Sequence, residues 1–307
     1  MPSDLGLTFL KATSSTTTHQ RPPFSVPASV TVEFVLIAGG GGGGSYSGGG
    51  GAGGYISTVI GENSGGGVSA QSSVFAKLQS FTITVGGGGP GAAVSGNRGI
   101  DSVFGSYTAI AGGRAGYNGG PSPHGETTAG SGGGGASNAA HTGGLATAGQ
   151  GFAGGNSVSG ISPFTSGGGG GAGGAGVNSN GNNTCNGGVG VQSNITYTPT
   201  YRAGGGGGSG GRTGSPAAGT GGLGNGGNGS VGDPSTGSSA PANSGGGSGG
   251  SHFTSAGTSG GSGVLIFRVP PSTIVTFSAG LVTALDTVSG PLNVYSVTSG
   301  SGTVTFS

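Results

Sequence analysis

Two segments of the chain carry the pattern of a serine nucleophile. Gly207-Gly208-Ser209-Gly210-Gly211 and Gly246–Gly250 around Ser248 both fit G-x-S-x-G. A nucleophile elbow needs a strand before the serine and a helix after it. The residues flanking both segments are themselves glycine-rich and read as neither. The run Gly96-Asn97-Arg98-Gly99-Ile100-Asp101-Ser102-Val103-Phe104 approaches the calcium-binding repeat G-G-x-G-x-D-x-U-x, which works only in tandem. It occurs once, with Asn97 where the second glycine belongs, and reads as a turn leading into a strand. No glycine block is followed by Lys and Ser or Thr, as a phosphate-binding loop requires. His19, His124, His141 and His252 do not fall at metal-ligand spacing, and Cys185 stands alone. The carboxylates lie far apart in sequence. These residues predict a protein that is not an enzyme and carries no cofactor and no metal.

The residues that could do chemistry of another kind are aromatic. They sit in the glycine-poor stretches between glycine blocks: Tyr117 with His124, Phe164 with Phe152, Tyr197 with Tyr201 and Arg202, and Phe253 with His252. Tyr and Arg are favoured contact residues, giving rigid area with a polar handle. Tyr117, His124, Phe164, Tyr197, Tyr201, Arg202 and Phe253 are therefore the candidate binding residues. The stretch Gln192–Arg202, QSNITYTPTYR, is the foremost expected contact loop, with the Ser, Thr and Asn content of adaptable binding loops. The competing reading is that these rings fold back over the body and are covered, since burying one contributes about 2 kcal/mol.

The elements that must position them follow from composition. Glycine supplies 85 of 307 residues, against a usual share of about 7%. Charged residues are only 5%, which separates the chain from most disordered sequences. The net charge of +1 gives no basic patch for nucleic acid, and no run of apolar residues is long enough to insert into a membrane. A conventional core of this size cannot be built from so few large apolar side chains. Long glycine runs can instead adopt polyproline-II geometry and pair main chain to main chain. The predicted fold is mostly irregular: a sandwich of packed polyglycine-II helices with a minor antiparallel β-sheet formed by the N- and C-terminal segments.

Texture divides the chain into three regions. Residues 1–38 form an N-terminal β or attachment segment ending in the apolar run Thr31–Ala38. Residues 39–262 form the glycine-rich body with variable loops, in which Phe81–Val85 alternates as a strand and Tyr55–Ile60 is a weaker one. Residues 263–307 return to β texture, with strands predicted at Val264–Val269, Ile274–Phe277, Leu281–Val288, Leu292–Thr298 and Thr303–Phe306. Val32–Ile37, Phe81–Val85 and Val264–Phe267 are expected in one sheet. Met1 to Thr18 lacks the basic start and apolar stretch of a secretory signal, so secretion by an ordinary signal is not expected.

Several of these runs are familiar in order as well as in content. VEFVLIAGGGGGG at Val32–Gly44, SYSGGGGAGGY at Ser45–Tyr55, FTITVGGGGPG at Phe81–Gly91, GNRGIDSVFG at Gly96–Gly105, AIAGG at Ala109–Gly113 and GGSGVLIFRVP at Gly260–Pro270 follow one another. Together they resemble the glycine-rich domain of bacteriophage tail and tail-fibre proteins. The architecture is related to that of the tail-fibre tip adhesins of T-even-type phages, whose larger attachment domain is not seen here. The resemblance implies a virion protein, non-enzymatic, whose loops bind a bacterial surface protein or polysaccharide. It also implies other virion proteins as partners, and self-association of the kind seen in fibres. Fibre tip, fibre shaft, tail plate and capsid decoration all stay open as its place. The alternative is a purely structural virion component without receptor contact. A glycine-rich antifreeze protein is a third reading, which the irregular spacing of the blocks disfavours.

Overall fold

The computed structural model describes residues 29–70, 73–117, 128–137, 139–158, 162–252, 256–286 and 290–307. The predicted binding residues His124 and Phe253 lie outside them. Thirteen strands are present among the described residues. They are β1 (Ser29–Thr31), β2 (Glu33–Ile37), β3 (Tyr55–Ser57), β4 (Val74–Ala76), β5 (Ser80–Val85), β6 (Ser102–Phe104) and β7 (Tyr107–Ala109). Next come β8 (Val191–Ser193), β9 (Thr200–Arg202), β10 (Val264–Val269), β11 (Val275–Phe277), β12 (Leu281–Asp286) and β13 (Asn293–Phe306).

Nine of them make one antiparallel sheet in the order β3-β2-β10-β13-β5-β6-β7. The long β13 organises it. Its first half pairs with β10 and its second half with β5, while β12 and β11 line its other side. The two strands predicted at Leu292–Thr298 and Thr303–Phe306 are thus one. The expected turn between them becomes a kink at Gly300, whose φ of 101° a side chain would resist.

The sheet curls until its ends approach. Phe34 of β2 and Phe104 of β6 are separated in strand order by β10, β13 and β5. Their rings nevertheless meet edge to face at 5.0 Å, and Phe34 meets Tyr107 of β7 at 4.9 Å. The result is a nearly closed barrel whose inside holds Phe34, Leu36, Phe75, Ile83, Phe104, Leu265, Phe267, Val304 and Phe306. Gly54 N–H donates to Ile110 O at 2.7 Å across the remaining gap between the edge strands, and Gln150 adds three bonds to it. The Gln150 carbonyl accepts the Tyr55 N–H at 3.1 Å, its Oε1 accepts the Ile110 N–H at 2.7 Å, and its Nε2 donates to Thr108 O at 3.0 Å.

Strands β2 and β10 are buried on both faces, which explains why EFVLI and VLIFRV read as continuous apolar runs rather than alternating ones. Phe34, Leu36, Leu265 and Phe267 face the barrel interior. Val35, Ile37, Val264 and Ile266 face outward onto Ala52, Ala172, Val191, Ile195 and Ala203. The glycine-rich chain is the cover on that outer side.

The expected architecture is corrected by this arrangement. Apart from the single 3-10 turn Gly65–Gly67, no helix occurs among the described residues. A helical glycine sandwich with a small terminal sheet is replaced by a large antiparallel, barrel-like sheet. The sheet takes β3, β5, β6 and β7 from the glycine-rich region itself. The physical reason lies in short segments that glycine counts conceal. YIS, SVF and YTA are only three residues each, yet each pairs with a neighbouring strand and supplies buried apolar side chains. Twelve phenylalanines in the chain are enough for one aromatic core when seven of them converge on it.

The glycine tracts outside the sheet form single main-chain bonds rather than strand ladders. Gly41 N–H donates to Gly51 O at 2.9 Å, Gly50 to Ser248 at 2.7 Å, Gly206 to Gly50 at 2.9 Å and Gly169 to Gly206 at 2.8 Å. The tracts approach so closely that a Cβ on Gly49 would overlap Gly206 O, and one on Gly169 would overlap Gly50 O.

Candidate functional site

The chain leaves β2 at Ile37, runs outward along 39–44, turns at Ser45-Tyr46 and returns along 48–54 into β3. Gly41 N to Gly51 O at 2.9 Å and Ala38 N to Gly54 O at 3.1 Å tie the two arms together. Tyr46 therefore sits at a tip away from the sheet, with φ of 51°. Other turns gather round it. Ser137 N–H donates to Tyr46 O at 3.3 Å, and Ser47 N–H donates to Ser251 O at 3.0 Å. Ser166 Oγ donates to Ser47 O at 3.0 Å. Arg212 N–H donates to Pro163 O at 3.0 Å, beside Phe164, whose φ is 67°.

This rim carries charge as well as aromatic area. Arg212 Nε lies 3.2 Å from Asp233 Oδ2, while Asp233 Oδ1 is buried and accepts no hydrogen bond among the described residues. Burial raises the Tyr46 phenol above its ordinary pKa, with Arg212 pulling it down and Asp233 pushing it up. Tyr117 comes to the same side, because Gly48 N–H donates to Gly116 O at 3.2 Å. Its ring lies 5.6 Å from the Arg114 guanidinium.

Tyr197, Tyr201 and Arg202 stand elsewhere, on a two-stranded hairpin of β8 and β9 packed against the outer face of the sheet. The hairpin is pinned at four points. Ile195 is fully buried. Glu62 Oε1 accepts the Asn194 N–H at 2.7 Å. Arg268 Nη1 donates to Asn194 O at 3.2 Å. The Tyr197 hydroxyl accepts the Leu292 N–H at 2.9 Å. Tyr197 is half-buried, with the Arg268 guanidinium 5.1 Å over its ring. Arg202 is half-buried with Nη1 unpartnered, and burial lowers its pKa against the opposing pull of Tyr55 and Asp286. Tyr201 is 37% exposed and stands directly across from the exposed Gln192.

The predicted residues thus divide into two places. Tyr117 and Phe164 belong to the rim, and Tyr197, Tyr201 and Arg202 to the hairpin. Sequence reasoning missed Tyr46, Arg212 and Asp233 at the rim. The signal for Tyr46 was its position as the lone aromatic between Gly39–Gly44 and Gly48–Gly54. Arg212 and Asp233 are 21 positions apart and had no such signal. Glu62 was missed also, being the sole charge in a long neutral stretch.

Ser209, Asp101 and His252 have internal uses, while Ser248 Oγ has no hydrogen-bond partner among the described residues. Ser209 and Ser248 are both buried. Ser209 N–H donates to Ser166 Oγ at 2.6 Å, and the two hydroxyls lie 2.8 Å apart. Asp101 Oδ1 accepts from Arg98 Nη2 at 2.9 Å and from the Ala111 N–H at 2.7 Å, so its carboxylate holds the start of β6 to the neighbouring tract. His252 is buried with Nε2 2.6 Å from Gly210 O.

No curated protein matches the chain. Residues 14–270 match the model of the glycine-rich domain. That span includes the outward tracts, the rim turns, the hairpin and β2 to β10, and the chain belongs to the glycine-rich domain family.

Proposed function

We propose that this chain is a non-enzymatic bacteriophage tail or tail-fibre protein that displays aromatic and charged side chains to a host cell surface. Its place is the virion, its neighbours are other tail proteins, and its ligand is a bacterial surface protein or polysaccharide. The observation that carries this reading is the rim. Turns at 45–46, 163–164, 212–214 and 231–234 are drawn together by main-chain and ionic bonds, and they end tracts that admit almost no side chain. Loops carried on such a frame lose little freedom when they bind. The order of motifs from Val32 to Pro270 supports assignment to phage tail proteins. Burial of Ser209 and Ser248 supports a role without catalysis.

Particles carrying Tyr117→Ala together with Phe164→Ala test the reading. Adsorption to the host is expected to fall at least tenfold, with the melting temperature of the purified protein unchanged. Unchanged adsorption removes the rim from the case.

One observation favours the structural alternative. The strand β12 pairs only with β13 among the described residues, and it exposes Val282 and Leu285. An apolar edge of that kind suits a contact with a sibling subunit. Cross-linking within whole particles separates the readings: β12 linked to another virion protein, with the rim also covered, favours a component without receptor contact.

A further inference from the structure

A cleft of about 390 Å³ opens between the turn Gly61–Gly67 and the β8–β9 hairpin. Its walls include Glu62, Asn63, Ser64, Gln192 and Tyr201, with glycine backbone from Gly173 and Gly190 between them. The size falls near the lower end of small-ligand sites, roughly 300–1,000 Å³. The lining differs from the usual apolar one. It offers two carboxamides and one half-exposed aromatic ring, while the Ser64 hydroxyl is taken up by Ser57 and the Glu62 carboxylate by Asn194.

These groups are held in place before any ligand arrives. Glu62 N–H donates to Val59 O at 3.1 Å, and its carbonyl accepts the Ala70 N–H at 3.0 Å. Its Oε1 is fixed by the Asn194 N–H at 2.7 Å, while Oε2 is buried and accepts no hydrogen bond among the described residues. Enclosed in this way, the Glu62 carboxylate serves the cleft by holding the hairpin through Asn194 rather than by meeting a ligand. Gln192 and Tyr201 are register partners across the hairpin, so their side chains share one face.

We infer that this cleft binds a neutral saccharide unit. A sugar ring offers mixed donors and acceptors for the two carboxamides, and an apolar C–H face for the Tyr201 ring. The glycine walls let such a ring approach the backbone. The inference deepens the host-surface reading and rests on it for the source of the sugar, but not for the binding itself.

Ligand-observed NMR and calorimetry on the full chain provide the test. The probes are glucose, galactose, mannose, N-acetylglucosamine and their disaccharides, with glucosamine and lysine as a cationic arm. At least one neutral sugar is expected to bind with Kd of about 1 mM. Tyr201→Ala should weaken it at least tenfold and Gln192→Ala severalfold, with circular dichroism and melting temperature unchanged. Three results overturn the inference: no neutral sugar binds, Tyr201→Ala leaves binding intact, or only the cationic probes bind. Sugar binding that Tyr201→Ala abolishes, in particles that still adsorb normally, upholds the cleft while separating it from host attachment.

Discussion

The Gln150 side chain receives the Ile110 N–H on Oε1 at 2.7 Å, just past the end of β7, while its own carbonyl takes the Tyr55 N–H of β3. Gly54 N–H donates directly to Ile110 O at 2.7 Å beside it, and Gln150 extends that seam between the two strand edges. Gln150→Ala removes the partners of Ile110 N and Thr108 O but keeps the carbonyl bond to β3. Loss of about 1–3 kcal/mol is expected for backbone groups left unmatched at a part-buried seam. Urea denaturation gives the magnitude. Hydrogen exchange should place the loosening at β7 and β3 rather than at β13.

Arg268 gathers three bonds on the opposite side of the sheet. Its Nε lies 2.6 Å from Glu33 Oε2, its Nη1 reaches Asn194 O, and its guanidinium covers Tyr197. The ion pair is mostly withdrawn from solvent, with side-chain exposures of 13% and 16%. Removing one partner leaves the other charge buried, so Arg268→Ala should cost about 3–5 kcal/mol. Glu33→Ala with Arg268→Ala should cost less than the sum of the two single changes, because the stranded charge is gone. Denaturant unfolding of the three variants closes the cycle. Additive losses would show that the pair is not coupled.

Cys185 is 1% exposed, with its thiol directed to Asn183 O at 3.6 Å. Burial pushes its pKa from 9.0 to about 11, with Ser179 and Thr165 pulling the other way. Between those values the unfolded thiol ionises and the folded one keeps its proton. Folded protein then binds more protons, so stability falls as pH rises through 9 to 11. The buried Tyr55 phenol, also raised by burial, adds a loss of the same sign. Cys185→Ala should therefore remove part of the alkaline fall in melting temperature, leaving the Tyr55 part. A thiol reagent at pH 8 should leave the native protein unlabelled and label it fully in urea.

What the sequence made legible was local. Val264–Val269 was bounded to the residue, and Phe81–Val85 to within one, since both are long enough to show their apolar pattern. Tyr55–Ser57 lies in the weaker strand expected at Tyr55–Ile60 and Ser102–Phe104 in the strand expected after the turn at Gly96, while Tyr107–Ala109 is too short to show a period. A glycine fraction this high says that backbones approach closely, but not whether they form helices or cover a sheet. That β2, β5 and β10 share one sheet was legible, but its closure was decided by where Phe34, Phe104 and Phe267 converge, which no local pattern encodes. The candidate site divided for a similar reason. Tyr197 and Tyr201 are four positions apart, yet one is anchored by Arg268 and Leu292 and the other faces a cleft. Arg268 is 71 positions from Tyr197, beyond the reach of spacing arguments.

The glycine tracts make a prediction that separates crowding from composition. Gly206 N–H donates to Gly50 O at 2.9 Å, and a Cβ at Gly206 would overlap Ser248 O, which is backbone and cannot rotate away. Gly87 has a conformation open to side chains, and its nearest neighbour for a Cβ is Ile100 Cδ1 at 3.8 Å, ordinary contact. Both residues are glycine in long blocks, so composition alone assigns them one role. Gly206→Ala must push apart the tracts at 48–50, 206 and 248, losing bonds worth about 1 kcal/mol each along with the packing between them. It should lower the melting temperature steeply or prevent folding. Gly87→Ala restricts the unfolded chain without a native clash, and should be neutral or stabilise by about 0.4–1 kcal/mol. Thermal melts of the two variants decide the matter. Equal losses would mean that the tracts are not in mutual backbone contact, and the rigidity argued for the rim would lose its support.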